Sequence, residues 1–168
     1  MKEKSVIKVL LWSAVLIWAA VIYMFSAQPA QQSKAVSSKI TEKIIVSTTH
    51  VNEKEIKQYG TRDERWAFSQ MRNTLTTVVR KSAHFFLYLV LGIITFMLAG
   101  RYNKNIKKIW MIALLCCLAY AISDEIHQYF VPGRACMWQD VLIDFCGSFI
   151  GSGITILLLK LKRTKTAE

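Results

Sequence analysis

The chain has 168 residues, 53% of them hydrophobic, and a formal net charge of +11. Its apolar residues are gathered into four blocks rather than spread at helical or strand period, which argues against an ordinary water-soluble domain and for a bilayer as the solvent. The charge does not call for nucleic acid, because Lys and Arg crowd the flanks of the apolar blocks, where they set topology.

The first block runs from Val9 to Phe25 behind Lys2, Lys4 and Lys8. A cleaved signal peptide is one reading of it, but cleavage after Ala27 would put Phe25 where a small residue is wanted, so an uncleaved anchor over about 7–26 is preferred. Pro29 stops the helix. Beyond it, an insert over about 30–80 carries Val36, Ile40 and Ile44 at four-residue spacing. That pattern predicts a short amphipathic helix on the outer surface, with a solvated cap on the bundle as the alternative. Trp66, Leu75, Val78 and Val79 predict a second helical run that continues into the next span.

The second and third blocks, Phe85 to Ala99 and Ile109 to Ile122, are short of the roughly 17–20 residues that cross a ~30 Å hydrocarbon core. They reach that length, as spans over about 82–99 and 108–126, only by taking polar residues with them: Lys81 and His84 before one, Ser123 to His127 behind the other. Polar groups at such depth are a functional-site hypothesis in themselves. Between the third span and the fourth (Val141 to Leu159, span about 141–160), the aromatics around Pro132 and Gly133 predict a hairpin in the headgroup layer.

Basic flanks orient the chain. Lys2, Lys4 and Lys8, then Arg101, Lys104, Lys107 and Lys108, then Lys160, Lys162, Arg163 and Lys165 predict three cytoplasmic segments, both termini included. The Asp124 to Asp140 connection, with Arg134 alone, is then outside. Arg80 and Lys81 sit against the outer end of the second span, and this topology gives no reason for them. The expected fold is an all-α membrane protein: one domain over 1–168, four transmembrane helices, an extracytoplasmic amphipathic helical segment between the first and second, and an interfacial hairpin between the third and fourth. Cys116, Cys117 and Cys146 are expected to pack inside the bundle, and Cys136 lies in the outer loop; none has metal-ligand spacing.

Three polar clusters converge on the outer side. Lys81, His84 and Tyr88 share a face at spacings of three and four; Asp124, His127 and Gln128 share another, with Glu125 about a quarter turn away; Asp140, Asp144, Gly147 and Gly151 form a stripe on the fourth span. Each has a bland explanation as an interfacial His, an N-cap Asp or a close-packing glycine pair. Asp144 is the sharpest case, because it lies within an apolar span and needs a partner or a proton; Arg134, His84 and Lys81 are its candidates. Cations able to hold a phosphate beside His and carboxylates able to move protons suit an anionic, lipid-linked compound.

The run Phe25, Ser26, Ala27, Gln28, Pro29 with Ser33 and Ser37, then Arg80 to Phe85 with Tyr88, then Asp124, Glu125, His127, Gln128 and Phe130 to Arg134, and finally Asp140, Val141 and Gly147, resembles the VanZ-like family in order and spacing. The resemblance implies a four-span bacterial cell-membrane protein, a link to reduced susceptibility to the glycopeptide teicoplanin, and action on head groups of lipids or lipid-linked saccharides. Leu87, where relatives often carry an acidic residue, and the bulky Ala135 to Trp138 stretch depart from the family and bear on substrate identity.

Two functions compete. In the first, a head-group transferase or hydrolase, Lys81 and Arg134 hold the phosphate, His84 or His127 is base or nucleophile, and Asp124, Glu125 and Asp140 orient the imidazoles, with Tyr88, Gln128 and Asp144 completing the pocket. In the second, the same pocket only retains a membrane lipid or lipid-linked cell-wall intermediate and alters antibiotic access to it. Asp124 and His127 also imitate the carboxylate-x-x-His pair of helical metal sites, and His84 with Asp140 would complete a ligand set. Lys81 and Arg134 oppose a cation there, so no metal and no cofactor is expected. The sequence does not give the oligomeric state.

Overall fold

A computed structural model describes residues 2–50 and 53–165, except for the side chains of residues 2–4, 163 and 165. The charges of Lys2, Lys4, Arg163 and Lys165, which count toward the basic flanks, therefore lie outside the described residues. Among the described residues the secondary structure is all helical: α1 (Lys2–Ser26), α2 (Ala30–Thr49), α3 (Glu53–Tyr59), α4 (Arg62–Ala99), α5 (Ile106–Tyr129) and α6 (Trp138–Lys165). Four of these, α1, α4, α5 and α6, are long and apolar enough to cross a membrane. The chain is a multi-pass membrane protein. Large apolar side chains such as Leu10, Leu16, Ile17, Leu115 and Leu158 stand open on its outer faces, as lipid-facing residues do.

Local chemistry sets the helix ends. Pro29 precedes α2 and leaves the α1 helix no further donor. Thr61 caps α4 through a reciprocal capping box with Glu64, and the Asn105 side chain accepts from the backbone N–H groups of Lys107 and Lys108 to start α5. From Thr61 onward α4 continues unbroken for 38 residues, so the helical run containing Trp66 and Val78 does enter the second span. At ~1.5 Å per residue that is ~57 Å, close to twice the hydrocarbon thickness, and its first half must project beyond the membrane.

The most extensive packing is between α4 and α6. It depends on Gly147 and Gly151, where a Cβ would overlap the backbone of Phe85 and Leu89 respectively, so the two helix axes approach as only small residues allow. Ile22, Tyr88, Leu91, Cys117 and Ala121 form one buried cluster, and Phe96, Ala99, Ile109 and Ala113 a second further along the bundle. Trp110, packed against the second, donates to Ser152 Oγ at 2.9 Å.

One packing expectation is corrected. Cys117 is buried, but Cys116 and Cys146 are exposed, because each falls on a helix face with no neighbouring helix. In α2 the buried stripe is Ser33, Ser37, Thr41 and Ile45, which packs on α4, while Val36, Ile40 and Ile44 stay about half exposed, the first two on the side of an apolar cleft. Small hydroxyl side chains let α2 lie close to α4, and Thr41 satisfies its own hydroxyl on the Ser37 carbonyl.

Candidate functional site

The end of α1, the start of α2, the middle of α4, the end of α5 and the start of α6 meet at one end of the bundle. The connection between α5 and α6 closes over them: Gly133 turns it with φ +76, and the Pro132 carbonyl accepts from the Ala30 N–H at 3.2 Å. Spacings of three and four then aim side chains from three helices at one volume. Lys81 Nζ lies 2.6 Å from Asp140 Oδ1, and one α4 turn deeper His84 Nδ1 lies 3.8 Å from Asp144 Oδ1. One ligand-capable atom each from His84, Asp124 and Asp144 fall within 4.8 Å of one another. Tyr88, fully buried, lies deeper on the same face of α4, its hydroxyl without a hydrogen-bond partner.

A second chain of contacts fixes Asp124. Arg134 Nη1 donates to Gln128 Oε1 at 2.8 Å; Gln128 Nε2 donates to Asp124 Oδ2 at 3.2 Å; and Ser26 Oγ donates to the same oxygen at 2.8 Å. Arg134 also donates from Nε to the Gln28 carbonyl and from Nη2 to the Phe25 carbonyl. It thereby satisfies the C-terminal end of α1, where a cation also complements the helix dipole. Burial, with nearby Arg80 adding to it, pulls the Arg134 guanidinium below its ordinary pKa.

Two cavities open beside these residues. A polar one of about 190 Å³ is lined by Lys81, Gln128, Gly133, Arg134, Asp140 and Asp144. A larger cleft of about 410 Å³ is lined mainly by apolar side chains, among them Trp18, Val36, Ile40, Phe86, Leu87 and Val90. Arg80 and His84 line both. Polar pocket and apolar cleft therefore adjoin at one cation and one imidazole.

Of the residues singled out in the sequence, Lys81, His84, Gln128, Arg134, Asp140 and Asp144 line the polar pocket, and Asp124 and Tyr88 stand behind it. Glu125 and His127 do not join them. Glu125 is buried, and its Oε1 accepts the Met137 N–H at 2.5 Å, holding the start of α6. His127 turns toward α1, its ring centroid 4.5 Å from that of Tyr23. Sequence reasoning did not assign two residues. Ser26 stands in the run that carries the family resemblance, but its partner, Asp124, is 98 residues away and is set by helix packing. Arg80 did give one, as a cation that topology does not explain; among the described residues it makes no hydrogen bond or ion pair, and it faces both cavities.

Chemically, the arrangement offers a free guanidinium and a second, paired cation at a pocket mouth, with an imidazole and two buried carboxylates at its base. A family model described as VanZ/LLP1 matches residues 11–159 of the chain. No curated protein and no solved structure matches it.

Proposed function

The chain belongs to the VanZ/LLP1 family, and we propose that it binds a phosphate-bearing lipid or lipid-linked saccharide at the outer face of a bacterial cell membrane and transfers or hydrolyses the head group. Both termini are then cytoplasmic. The observation that carries the reading is the junction of the two cavities at Arg80 and His84. An amphiphile needs an apolar channel for its chain and a polar pocket for its head group, joined where the two parts meet.

In this reading Arg80 holds the phosphate, with Lys81 and Arg134 beside it, since guanidinium groups pair with phosphate oxygens in bidentate fashion. His84, backed by Asp144, is the imidazole at the reacting group; His127 is turned away to Tyr23. The family is linked in general to glycopeptide resistance, and a change in a lipid-linked cell-wall intermediate would alter what such an antibiotic meets. Retention of the same lipid without chemistry is the second reading, favoured by the three cations at the pocket.

Mass spectrometry of lipids retained by the purified protein tests the proposal. Native protein is expected to retain an anionic phospholipid or isoprenoid phosphate, and Arg80→Ala and Arg134→Ala to lose it. His84→Ala is expected to retain the lipid and stop turnover. Equal lipid profiles in the native, Arg80→Ala and Arg134→Ala proteins would overturn it.

A further inference from the structure

Asp124 and Asp144 are 4% and 2% exposed, and each has one carboxylate oxygen, Oδ1, with no hydrogen-bond donor. The Tyr88 hydroxyl, one α4 turn beyond His84, is a third buried polar atom without a partner among the described residues. Leaving one such buried oxygen unsatisfied is costly, and three together call for a common partner. Two of the three nearby protein cations are already engaged, Lys81 with Asp140 and Arg134, through three of its donors, with Gln128 and the carbonyls of Phe25 and Gln28, while Arg80, among the described residues, stands unpaired at the pocket. The opposition of Lys81 and Arg134 to a bound cation, expected from the sequence, is thus weakened by geometry.

We propose that His84, Asp124 and Asp144 bind one divalent transition-metal ion of the Zn²⁺ or Mn²⁺ type. Three features fit an ion better than a hydrogen-bonded network. First, His84 Nδ1 and Asp144 Oδ1 are 3.8 Å apart, too far for a hydrogen bond. Two atoms bonded to one Zn²⁺ at ~2.1 Å sit ~3.4 Å apart in a tetrahedron, so from a present spread of up to 4.8 Å, rotations that draw the three groups together by up to ~1.4 Å complete the set. Second, two carboxylates and a divalent ion are neutral together, which removes the cost of two buried like charges. Third, one imidazole with two carboxylates is a mixed donor set, suited to Zn²⁺ or Mn²⁺; Mg²⁺ prefers oxygen and water alone.

His84 and Asp144 line the polar pocket, so the remaining coordination position faces the volume where Arg80 stands. Three protein ligands and one open position form the pattern of catalytic rather than structural zinc. Tyr88 supplies a hydroxyl to orient a carboxylate ligand from behind. The inference deepens the reading of this pocket and changes one role: with the ion bound, His84 holds the metal and accepts no proton.

The test uses full-length protein in mild detergent, stripped with chelator and then loaded separately with Zn²⁺ and Mn²⁺. Elemental analysis is expected to find one ion per chain in the native protein and background levels in Asp124→Asn and Asp144→Asn. Asp140→Asn should retain the ion, and Tyr88→Phe should weaken it by ~10-fold or more. Pulsed electron paramagnetic resonance of the Mn²⁺-loaded native protein is expected to show coupling to one imidazole nitrogen, a readout that needs no variant to fold. A native protein without ion, an ion held equally by the two Asn variants, or Mn²⁺ without nitrogen coupling would overturn the site. Lipid retention measured on the same samples keeps the two proposals separate, since lipid can be retained without metal and metal held without lipid.

Discussion

Ser26, the last residue of α1, donates its hydroxyl to Asp124 Oδ2 in α5 at 2.8 Å, with both side chains buried. The bond joins the ends of two helices that otherwise touch only lightly, and it leaves Oδ1 as the oxygen available to the pocket side. Ser26→Ala removes a donor to a buried carboxylate, leaving Gln128 alone on that oxygen at 3.2 Å. A loss of ~1–3 kcal/mol is expected. Thermal unfolding in detergent reads it, and Ser26→Thr, which keeps the hydroxyl, should lie between the two.

Gly151 sets the distance between α4 and α6. A Cβ there meets the Leu89 carbonyl and backbone, whereas at Gly153, two residues on, it meets nothing within 4 Å. Gly151→Ala is expected to cost at least ~1–3 kcal/mol as overpacking, because backbone rather than a flexible side chain must give way. Gly153→Ala should be neutral or slightly stabilising through helix propensity. Equal unfolding temperatures for the two variants would contradict the packing.

The spans, the unbroken α4 and the glycine stripe were legible because each is a local pattern: block length, period and spacing. The site was legible as far as one helix face could be read. Asp124 and Gln128 are four residues apart and cooperate. His127, three residues from Asp124, is offset from it by about 60° around the axis, enough to carry its ring to Tyr23 of α1. In α2 the pattern of Val36, Ile40 and Ile44 gave the helix but not its buried face. Ser33, Ser37 and Thr41 face α4 because close approach favours small side chains, and in a lipid environment apolar residues need not point inward.

Lys81 and Asp140 form an ion pair at 2.6 Å with about a quarter of each side chain open to the surroundings. Reversing either charge alone, as Lys81→Asp or Asp140→Lys, places like charges together and should lower the unfolding temperature. Combining both reversals should recover part of the loss, with a coupling energy of ~0.5–3 kcal/mol in a double-mutant cycle. An additive double variant would mean that the pair contributes nothing.

Outside the membrane, Glu53 in α3 accepts from Lys57 and from Arg72 of α4. The Lys57 hydrogen bond is the largest cause of a lowered Glu53 pKa, with Arg72 adding to it against partial desolvation. A carboxylate whose folded pKa is depressed contributes stability that is present above its unfolded value and lost as pH falls through the folded one. The contact between α3 and α4 should therefore loosen as pH falls below the ordinary glutamate range. Amide exchange in α3 reads this directly. Glu53→Gln should remove the pH dependence, and added salt should weaken it, because Lys57 is largely exposed.

Glu125 separates a structural carboxylate from a reactive one. Its Oε1 accepts the Met137 N–H at 2.5 Å, just before α6 begins, where a negative group also favours the positive end of the helix dipole. The connection from Phe130 to Met137 carries Arg134, so its order decides whether the guanidinium reaches Gln128 and the α1 carbonyls. Glu125→Gln keeps an acceptor oxygen at nearly the same place and should leave amide exchange over residues 130–137 close to native. Glu125→Ala leaves the Met137 N–H without its acceptor, at a cost of ~1–3 kcal/mol, and should raise exchange across the connection and weaken the hold on Arg134. A carboxylate needed for proton transfer would show the opposite order, with Gln as damaging as Ala to turnover while exchange stayed unchanged in both.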